Sequence, residues 1–301
     1  MQGAPLAKRL VDNWPVGLAV ATGLAFIPLA NWLGVILAVL VMLRHGGLWA
    51  SLGYALVSVI AYFTLTSYSL SLMAQEWGAI LMIFTPLWVM AWLLRGLRSL
   101  SLAMTGGTLS LVALILLMRL IQGPPSIDEW VTFFQCRMQA SGLTEAQLMD
   151  FLPGHDYRSA VKAFMIGWPL SLSLLQLGLL FTARWIQARS YYPGGFQRDF
   201  HSLKQPKALA LSCAGFLLMA VFAPEDMITL MQLGILALVL MGITGLGQVH
   251  GYMTAKHRSV WWLVLIYGFL ILNTWGTLIA LAIVGILAST VNNFSLSKRG
   301  Q

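Results

Sequence analysis

Charged side chains are the scarcest component of this sequence. Only 9% of its 301 residues are Asp, Glu, Lys or Arg, whereas an average soluble domain has about 25%. Hydrophobic residues make up 58% of the chain, so it has too few polar side chains to cover a water-facing surface. Its solvent must be lipid, and we expect a membrane protein whose first partner is the bilayer.

Acidic residues are missing from the interior of every apolar run. All ten carboxylates lie in predicted loops or at predicted helix ends. Proton- and sodium-coupled carriers usually keep an acid at membrane depth, where it is costly and therefore functional, so this absence argues against such a carrier. The basic residues are scattered singly or in pairs between apolar runs. That pattern is typical of topology determinants and not of a nucleic-acid partner.

Catalytic and metal-binding patterns are also missing. The two cysteines, Cys136 and Cys213, form no Cys-x-x-Cys motif, and the five histidines do not cluster at ligand spacing. The chain contains no Gly-x-Ser-x-Gly elbow and no His-Glu-x-x-His motif. We therefore predict no enzyme, no cofactor and no metal site.

The chain consists mainly of eight long apolar segments. They lie at residues 15–43, 48–72, 77–94, 100–121, 160–186, 207–223, 227–250 and 259–291. One span needs about 20 residues, so the first and last segments are too long for one upright helix. Each has a breaker near its middle, Pro28 with Asn31 and Asn273 with Gly276. The sequence thus predicts an all-α polytopic transmembrane bundle with eight to ten membrane segments, two of them broken or folded into hairpins.

The distribution of basic residues favours the hairpins. With the loop at 187–206 placed in the cytoplasm and ten segments assumed, the inner face carries fourteen basic residues against two acids. With eight segments, both basic termini fall outside instead. The positive-inside rule therefore favours ten segments and two cytoplasmic termini.

The long predicted outer loop, 122–159, contains two amphipathic segments. Ser126 and Glu129 are spaced as a capping box, and apolar residues follow at helical spacing from Ile127 to Met138. A second short helix is expected from Thr144, before Pro153. Helices of this kind lie in the membrane–water interface. They form either a structural rim or a lid over a cavity that opens outward.

The inner loop, 187–206, bends sharply and then carries an apolar stripe. The turn is formed by Pro193, Gly194 and Gly195, because proline restricts φ and glycine allows positive φ. Phe196, Phe200 and Leu203 follow at spacings of four and three. A solvated loop does not need such a stripe, so it docks either on the protein's own inner surface or on a partner.

A few polar side chains interrupt the apolar segments. Such amides usually join helices by hydrogen bonds, but helix breaks in corresponding segments also indicate a binding site. The candidate residues for binding a small solute are Asn31, Arg119, Gln176, Asn273 and Trp275.

The inner loop also carries the residues of a family resemblance. Arg184-Trp185, the run from Tyr192 to Phe196, and Asp199-Phe200-His201-x-Leu203 resemble the proteobacterial branch of the YybS-like membrane proteins. This family is distantly similar to the substrate-binding S components of energy-coupling-factor transporters. The resemblance implies a bacterial inner-membrane location and an ATPase-bearing complex or other membrane partner.

The resemblance also implies which residues contact that partner. S components dock on a coupling subunit through small residues of their first helix, a role that Ala21 and Ala25 would fill here. The inner loop would supply a second contact. Its candidate partner-binding residues are Pro193, Gly194, Gly195, Phe196, Phe200, His201 and Leu203.

Three functions remain open at this point. The first is a transport component that binds a small solute and has no ATPase of its own, since the chain has no Walker motif. The second is a membrane scaffold that recruits a cytoplasmic protein. The third is a lipid-handling protein that uses Arg119 or Arg184 on a lipid phosphate. A transporter predicts a polar cavity, a scaffold a close-packed core, and a lipid-handling protein a lateral opening beside an arginine.

Overall fold

The computed structural model confirms the predicted all-helical architecture. It describes residues 6–66, 73–124, 126–140, 142, 156–224 and 226–291, and these residues form thirteen helices and no strand. The helices are α1 (Leu6–Asp12), α2 (Trp14–Ala25), α3 (Asn31–Arg44), α4 (Gly47–Thr66), α5 (Met73–Leu97), α6 (Leu100–Gln122), α7 (Ile127–Ala140), α8 (Tyr157–Tyr191), α9 (Gly195–His201), α10 (Lys207–Val221), α11 (Ile228–Ala255), α12 (Trp261–Leu272) and α13 (Thr274–Thr290). The second amphipathic helix predicted after Thr144 lies outside the described residues.

Five helices are long and apolar enough to cross a membrane. They are α4, α5, α6, α8 and α11. The longest, α8, has 35 residues and is therefore about 52 Å long at 1.5 Å per residue. The described residues thus form a helical bundle compatible with a membrane protein.

The first broken segment is a tight helical hairpin, α2–α3. Its helices cross where α3 has Gly34, and a Cβ at that position would lie 2.5 Å from the carbonyl oxygen of Ala21 and 3.1 Å from the nitrogen of Ala25. Gly17, earlier in α2, lies against Val41, later in α3, so the two helices are antiparallel. Small residues on both sides allow this close approach.

The second broken segment, α12–α13, bends at Asn273. The Asn273 side chain caps α13 by accepting a hydrogen bond from the backbone nitrogen of Gly276 at 3.1 Å. In α12, the Tyr267 hydroxyl contacts His250 Nε2 of α11 at 2.9 Å. Near the end of α13, Ser289 Oγ accepts a hydrogen bond from the backbone nitrogen of Gln205 at 3.1 Å.

Both described chain ends lie at the same end of the bundle as the 187–206 segment. In addition to the contact between Ser289 and Gln205, Tyr191 donates a hydrogen bond to Asp12 Oδ1 at 2.7 Å. This is the arrangement of the ten-segment topology that the charge distribution favours. The cytoplasmic location of this end stays a prediction.

Helix α11 is the centre of the bundle. Buried residues make up 72% of its apolar window, and it crosses α13 in contact through glycines. A Cβ at Gly245 would overlap the carbonyl oxygen of Leu281, and a Cβ at Gly285 would lie 2.9 Å from the nitrogen of Gly245. The two backbones are therefore as close as they can be without any side chain between them.

The short segment between α9 and α10 is tied to three helices. Gln248 Nε2 donates to the carbonyl oxygen of Leu203 at 2.5 Å, and the Lys204 nitrogen donates to Ser101 Oγ at 3.1 Å. The Gln205 side chain accepts from Thr105 Oγ1 at 2.8 Å and donates to Thr244 Oγ1 at 3.1 Å. Gln205 therefore joins α6 and α11, and its backbone joins α13.

Gln205→Leu should destabilise the bundle. The substitution keeps the approximate size but removes both side-chain hydrogen bonds at a position that is 4% exposed. A loss of about 1–3 kcal/mol is expected because the half-buried Thr105 hydroxyl loses its acceptor and the buried Thr244 hydroxyl loses its donor. Thermal unfolding in detergent measures it, with the exposed Gln197→Leu as the control. Equal melting of the two variants would contradict the role of Gln205.

Candidate functional site

A cavity of about 940 Å³ lies beneath α7. We call it the aromatic cavity. Helices α3 to α8 all contribute to its walls, and its most prominent lining residues are Trp32, Arg119, Trp130, Phe134, Phe164 and Trp168. Ligand pockets in proteins usually have volumes of about 300–1,000 Å³ and mostly apolar walls, so the cavity has the size and character of a binding site.

Helix α7 forms the roof of the aromatic cavity. Ser126 Oγ caps its start by accepting from the Glu129 nitrogen at 3.4 Å. Its Trp130 and Phe134 pack against Phe164 of α8, with ring centroids 6.1 and 5.0 Å apart. The apolar stripe predicted from the sequence for this helix therefore faces α8 and the cavity.

Arg119 is the one charged side chain of the described residues that lines the aromatic cavity. Its Nη2 atom donates to Gln232 Oε1 at 3.4 Å, and Gln232 is itself held by donating to the carbonyl oxygen of Met165 at 2.7 Å. The Nε atom is buried and has no hydrogen-bond partner within the described part of the chain. A buried donor without a partner is costly, so the Arg119 guanidinium is only partly satisfied by the described part of the chain.

The aromatic cavity also reaches the lateral surface of the bundle. Phe133 and Phe164 both line it, and each is 49% exposed. Apolar side chains exposed on the flank of a membrane bundle face lipid chains. The rim of the cavity at Phe133 and Phe164 is therefore apolar.

Two of the predicted solute-binding residues use their side chains to form hydrogen bonds within the bundle. Asn31 is fully buried, donates to the carbonyl oxygen of Ala61 at 3.5 Å and accepts from the Trp32 nitrogen at 2.8 Å. Gln176 Nε2 donates to the carbonyl oxygens of Met82 and Ile83 at 2.8 and 2.9 Å. Neither side chain lines the aromatic cavity, because its polar atoms are used within the bundle.

The other two predicted residues lie elsewhere. Asn273 is exposed and caps its own helix, and Trp275 lines a separate apolar cavity of about 520 Å³. Ile166 of α8 borders this second cavity, whereas Phe164 and Trp168 border the aromatic one. Neither of these two cavities is lined from both broken segments, and of the five candidates only Arg119 lines the aromatic cavity.

The apolar stripe of the inner loop packs on the protein's own body. Phe196 stacks on Phe200 with centroids 5.8 Å apart, and both rings contact Phe181 of α8. Leu203 is fully buried. These three side chains are not a free docking surface.

The bend that precedes the stripe is the exposed part of the inner loop. Pro193 and Gly194 are exposed, Gly194 has a φ of +81°, and Gly195 is buried at the start of α9. His201 packs against Gly251, and burial lowers the pKa of its imidazole. Any partner of this loop would contact the bend and not the stripe.

The proposed alanine face of the first helix is not available either. Ala21 and Ala25 are both 0% exposed, because they pack against Gly34 inside the α2–α3 hairpin. The docking role that the family resemblance implies for them is therefore wrong in this structure. A fully buried alanine pair cannot contact another subunit.

Arg184 lies at the end of the bundle opposite to Arg119. Its Nε and Nη2 atoms donate to Asp199 Oδ2 at 3.1 and 2.7 Å, and Nη1 donates to Gln187 Oε1 at 2.6 Å. Arg184 and Asp199 thus form one ion pair that holds α9 against α8. Unlike Arg119, Arg184 has its charge balanced.

The charge and shape of the aromatic cavity are the strongest indications of function in this structure. Of the solute-binding residues predicted from the sequence, only Arg119 lines this cavity. Its aromatic walls come mainly from α7 and α8. Compared with known proteins, the chain matches no family model, no curated protein and no solved structure.

Proposed function

We propose that this protein binds, within the membrane, an amphiphile with an anionic head group and an apolar body. The observation that carries the proposal is Arg119, which lines the aromatic cavity with one hydrogen bond, to Gln232, and no carboxylate partner among the described residues. This corresponds to the lipid-handling function among the three that the sequence leaves open. The proposal includes no catalytic step.

The walls of the cavity support an apolar ligand body. Tryptophan and phenylalanine rings dominate them, and such rings bury large apolar areas. A small hydrophilic solute would gain little there, because its polar groups would leave water without finding partners. The exposed phenylalanines at the rim of the cavity, Phe133 and Phe164, further support a ligand with an apolar body.

The single cation supports an anionic head group. A guanidinium binds carboxylate and phosphate oxygens through charge-assisted hydrogen bonds, and its planar fork can bind two oxygens at once. No described carboxylate lines the cavity and competes for it. Gln232 fixes the guanidinium in place, so little side-chain entropy is lost on binding.

The S-component-like function is the second candidate, and one observation favours it. Helix α7 covers the cavity as a lid would, and Trp32, next to the break of the first segment, reaches the cavity wall. This function would take a compact anionic solute from the side of α7. The burial of Ala21 and Ala25 gives it no docking face. A bacterial inner membrane, with the inner loop in the cytoplasm, belongs to both proposals.

Replacing Arg119 by glutamine tests the proposal. Dibrominated stearate should quench the tryptophan fluorescence of the purified protein saturably, because Trp32, Trp130 and Trp168 line the cavity. Loss of a charged hydrogen bond weakens binding by about 10- to 100-fold, so Arg119→Gln should weaken the saturable quenching by that factor. The methyl ester of the same acid, which has no charge, should bind the wild type as weakly as stearate binds Arg119→Gln.

Arg189→Gln is the matched control, since it removes one exposed arginine from α8 outside the cavity. It should bind stearate as the wild type does. Equal affinity of Arg119→Gln and the wild type for stearate would contradict the proposal. Binding of a water-soluble carboxylate such as benzoate, with no binding of stearate, would favour the S-component-like alternative.

A further inference from the structure

Another large cavity, separate from the two described above, lies at the opposite end of the bundle from α7, where the 187–206 segment packs. It has a volume of about 970 Å³, and we call it the arginine cavity. The ends of α3, α5 and α8 and helix α9 surround it. Its basic lining residues are Arg44, Arg95, Arg98, Arg184 and Arg198.

The arginine cavity carries an excess of positive charge. Arg184 is paired with Asp199, and Arg44 Nε lies 3.6 Å from Asp12 Oδ1. The described part of the chain provides no carboxylate partner within 4.0 Å for Arg95, Arg98 or Arg198. Three arginines without a described carboxylate partner therefore line one cavity, and like charges brought together repel each other.

Several of these arginines are held in place by their surroundings. The guanidinium of Arg44 lies over the Tyr191 ring, 4.7 Å from its centroid. The guanidinium of Arg95 occupies the space that a side chain at Gly46 would need. Arg98 has a φ of +51°, a left-handed conformation that is costly for a residue with a Cβ. The side chains of Arg44 and Arg95 are thus packed against neighbouring residues, whereas Arg98 and Arg198 are exposed at the cavity wall.

The general excess of basic residues at this end does not explain the cluster. Lys204, Lys256 and Arg258 stand at the same end, and none of them lines the cavity. All five basic lining residues are arginines, whose planar fork matches phosphate oxygens, whereas a lysine provides only a point charge. A topology signal alone requires neither arginine in place of lysine nor the grouping of five basic residues around one cavity.

We propose that the arginine cavity is a binding site for a phosphate group that carries two negative charges. Two charges would balance most of the three unpaired guanidinium groups, and Arg184 and Arg44 would remain with their own carboxylates. The inference rests on a different cavity from the proposed function and does not depend on it.

The cavity wall also suits a phosphate that is attached to a hydrocarbon chain. Trp92 and Leu97 line the same cavity and are 59% and 55% exposed. A lipid head group could thus lie among the arginines while its chains stay beside Trp92. Free phosphate would use the arginines alone, and the experiment separates these two sources.

The test uses the full chain in nanodiscs of neutral phosphatidylcholine with increasing fractions of phosphatidic acid. Native mass spectrometry counts the phosphatidic acid molecules that remain bound. The double substitution Arg95→Gln and Arg98→Gln should weaken retention at least about tenfold, because charge-assisted hydrogen bonds are lost. The matched control, Lys256→Gln with Arg258→Gln, removes the same charge outside the cavity and should bind as the wild type does.

A second variant guards against misfolding, because Arg95 packs on Gly46. Arg198 is exposed on α9, and Arg198→Gln should fold normally and still lose affinity about threefold or more. Inorganic phosphate, titrated into the same nanodiscs, identifies the source. Displacement of phosphatidic acid by millimolar phosphate assigns the site to free phosphate, and no displacement assigns it to the lipid head group. Equal losses in the cavity variants and the matched control would overturn the proposal.

Discussion

Gly245→Ala should lower the unfolding temperature of the purified protein sharply. A Cβ at this position would overlap the carbonyl oxygen of Leu281 and lie 3.0 Å from the nitrogen of Gly285. Both are backbone atoms of α13, so no change of rotamer can relieve the overlap and the helices must separate. We expect a loss of about 3 kcal/mol, at the upper end for overpacking, because α11 is the most buried of the long helices.

The same chemical change at Gly215 provides the control. A Cβ there meets no atom within 4 Å, and alanine is favoured over glycine in a helix by about 1 kcal/mol. Gly215→Ala should therefore leave the unfolding temperature unchanged or raise it slightly. Thermal scans of both variants in the same detergent decide the matter. Unfolding of Gly245→Ala at the wild-type temperature would mean that α11 and α13 are not in backbone contact.

Asp199→Asn should have the second largest effect. The substitution removes the charge that balances Arg184, in a pair whose side chains are only 17% and 27% exposed. Hydrogen bonds to charged groups contribute about 1.5–3 kcal/mol, and the unbalanced Arg184 would also repel Arg198 across the cavity. We expect a loss of about 2 kcal/mol in the free energy of unfolding, with α9 loosened first.

A double-mutant cycle with Arg184→Gln separates this pair from other effects. If the ion pair is responsible, the double variant should lose less stability than the sum of the two single variants, by about 1 kcal/mol or more. Inorganic phosphate or phosphatidic acid should restore part of the stability of Asp199→Asn, because a bound anion replaces the missing charge. Strict additivity of the two substitutions would show that Arg184 and Asp199 act independently.

The architecture could be predicted to a large extent because it depends on properties that can be read along the sequence without knowing which residues are in contact. The length of the apolar segments, their breakers and the asymmetry of the basic residues together indicated ten segments with a hairpin at each end of the chain. Both α2–α3 and α12–α13 have this form. The breaker expected at Asn273 to Gly276 lies where α13 begins, and the Asn273 side chain caps that helix, as asparagine commonly does.

The site could be predicted only in part, because a polar side chain in a membrane helix has two uses. Asn31 and Gln176 bond backbone carbonyl oxygens of neighbouring helices, and nothing in their sequence context distinguishes this use from ligand binding. The same holds for Ala21 and Ala25, whose partner turned out to be Gly34 of the same chain. Arg119 differs because an arginine has five donors, and one acceptor from Gln232 leaves Nε unsatisfied.

The arginine cavity could not be predicted because its residues are far apart in the sequence. Arg44, Arg98 and Arg198 come from three different helix ends, and each one alone is typical of a topology signal. They come to one place only because the C-terminal ends of α3, α5 and α8 meet there and α9 packs beside them.

The apolar surface of the protein is shorter along the membrane normal beside the two hairpins than beside its long helices. Helices α2 and α12 have 12 residues each and are about 18 Å long, against about 30 Å for the hydrocarbon core of a bilayer. Their tips carry Leu29 and Leu272, which are 93% and 85% exposed and therefore prefer acyl chains to water. Lipids beside the hairpins must compress or tilt to match them, whereas lipids beside α8 need not. In a cell with membranes of different thickness, this chain should collect where the bilayer is thin.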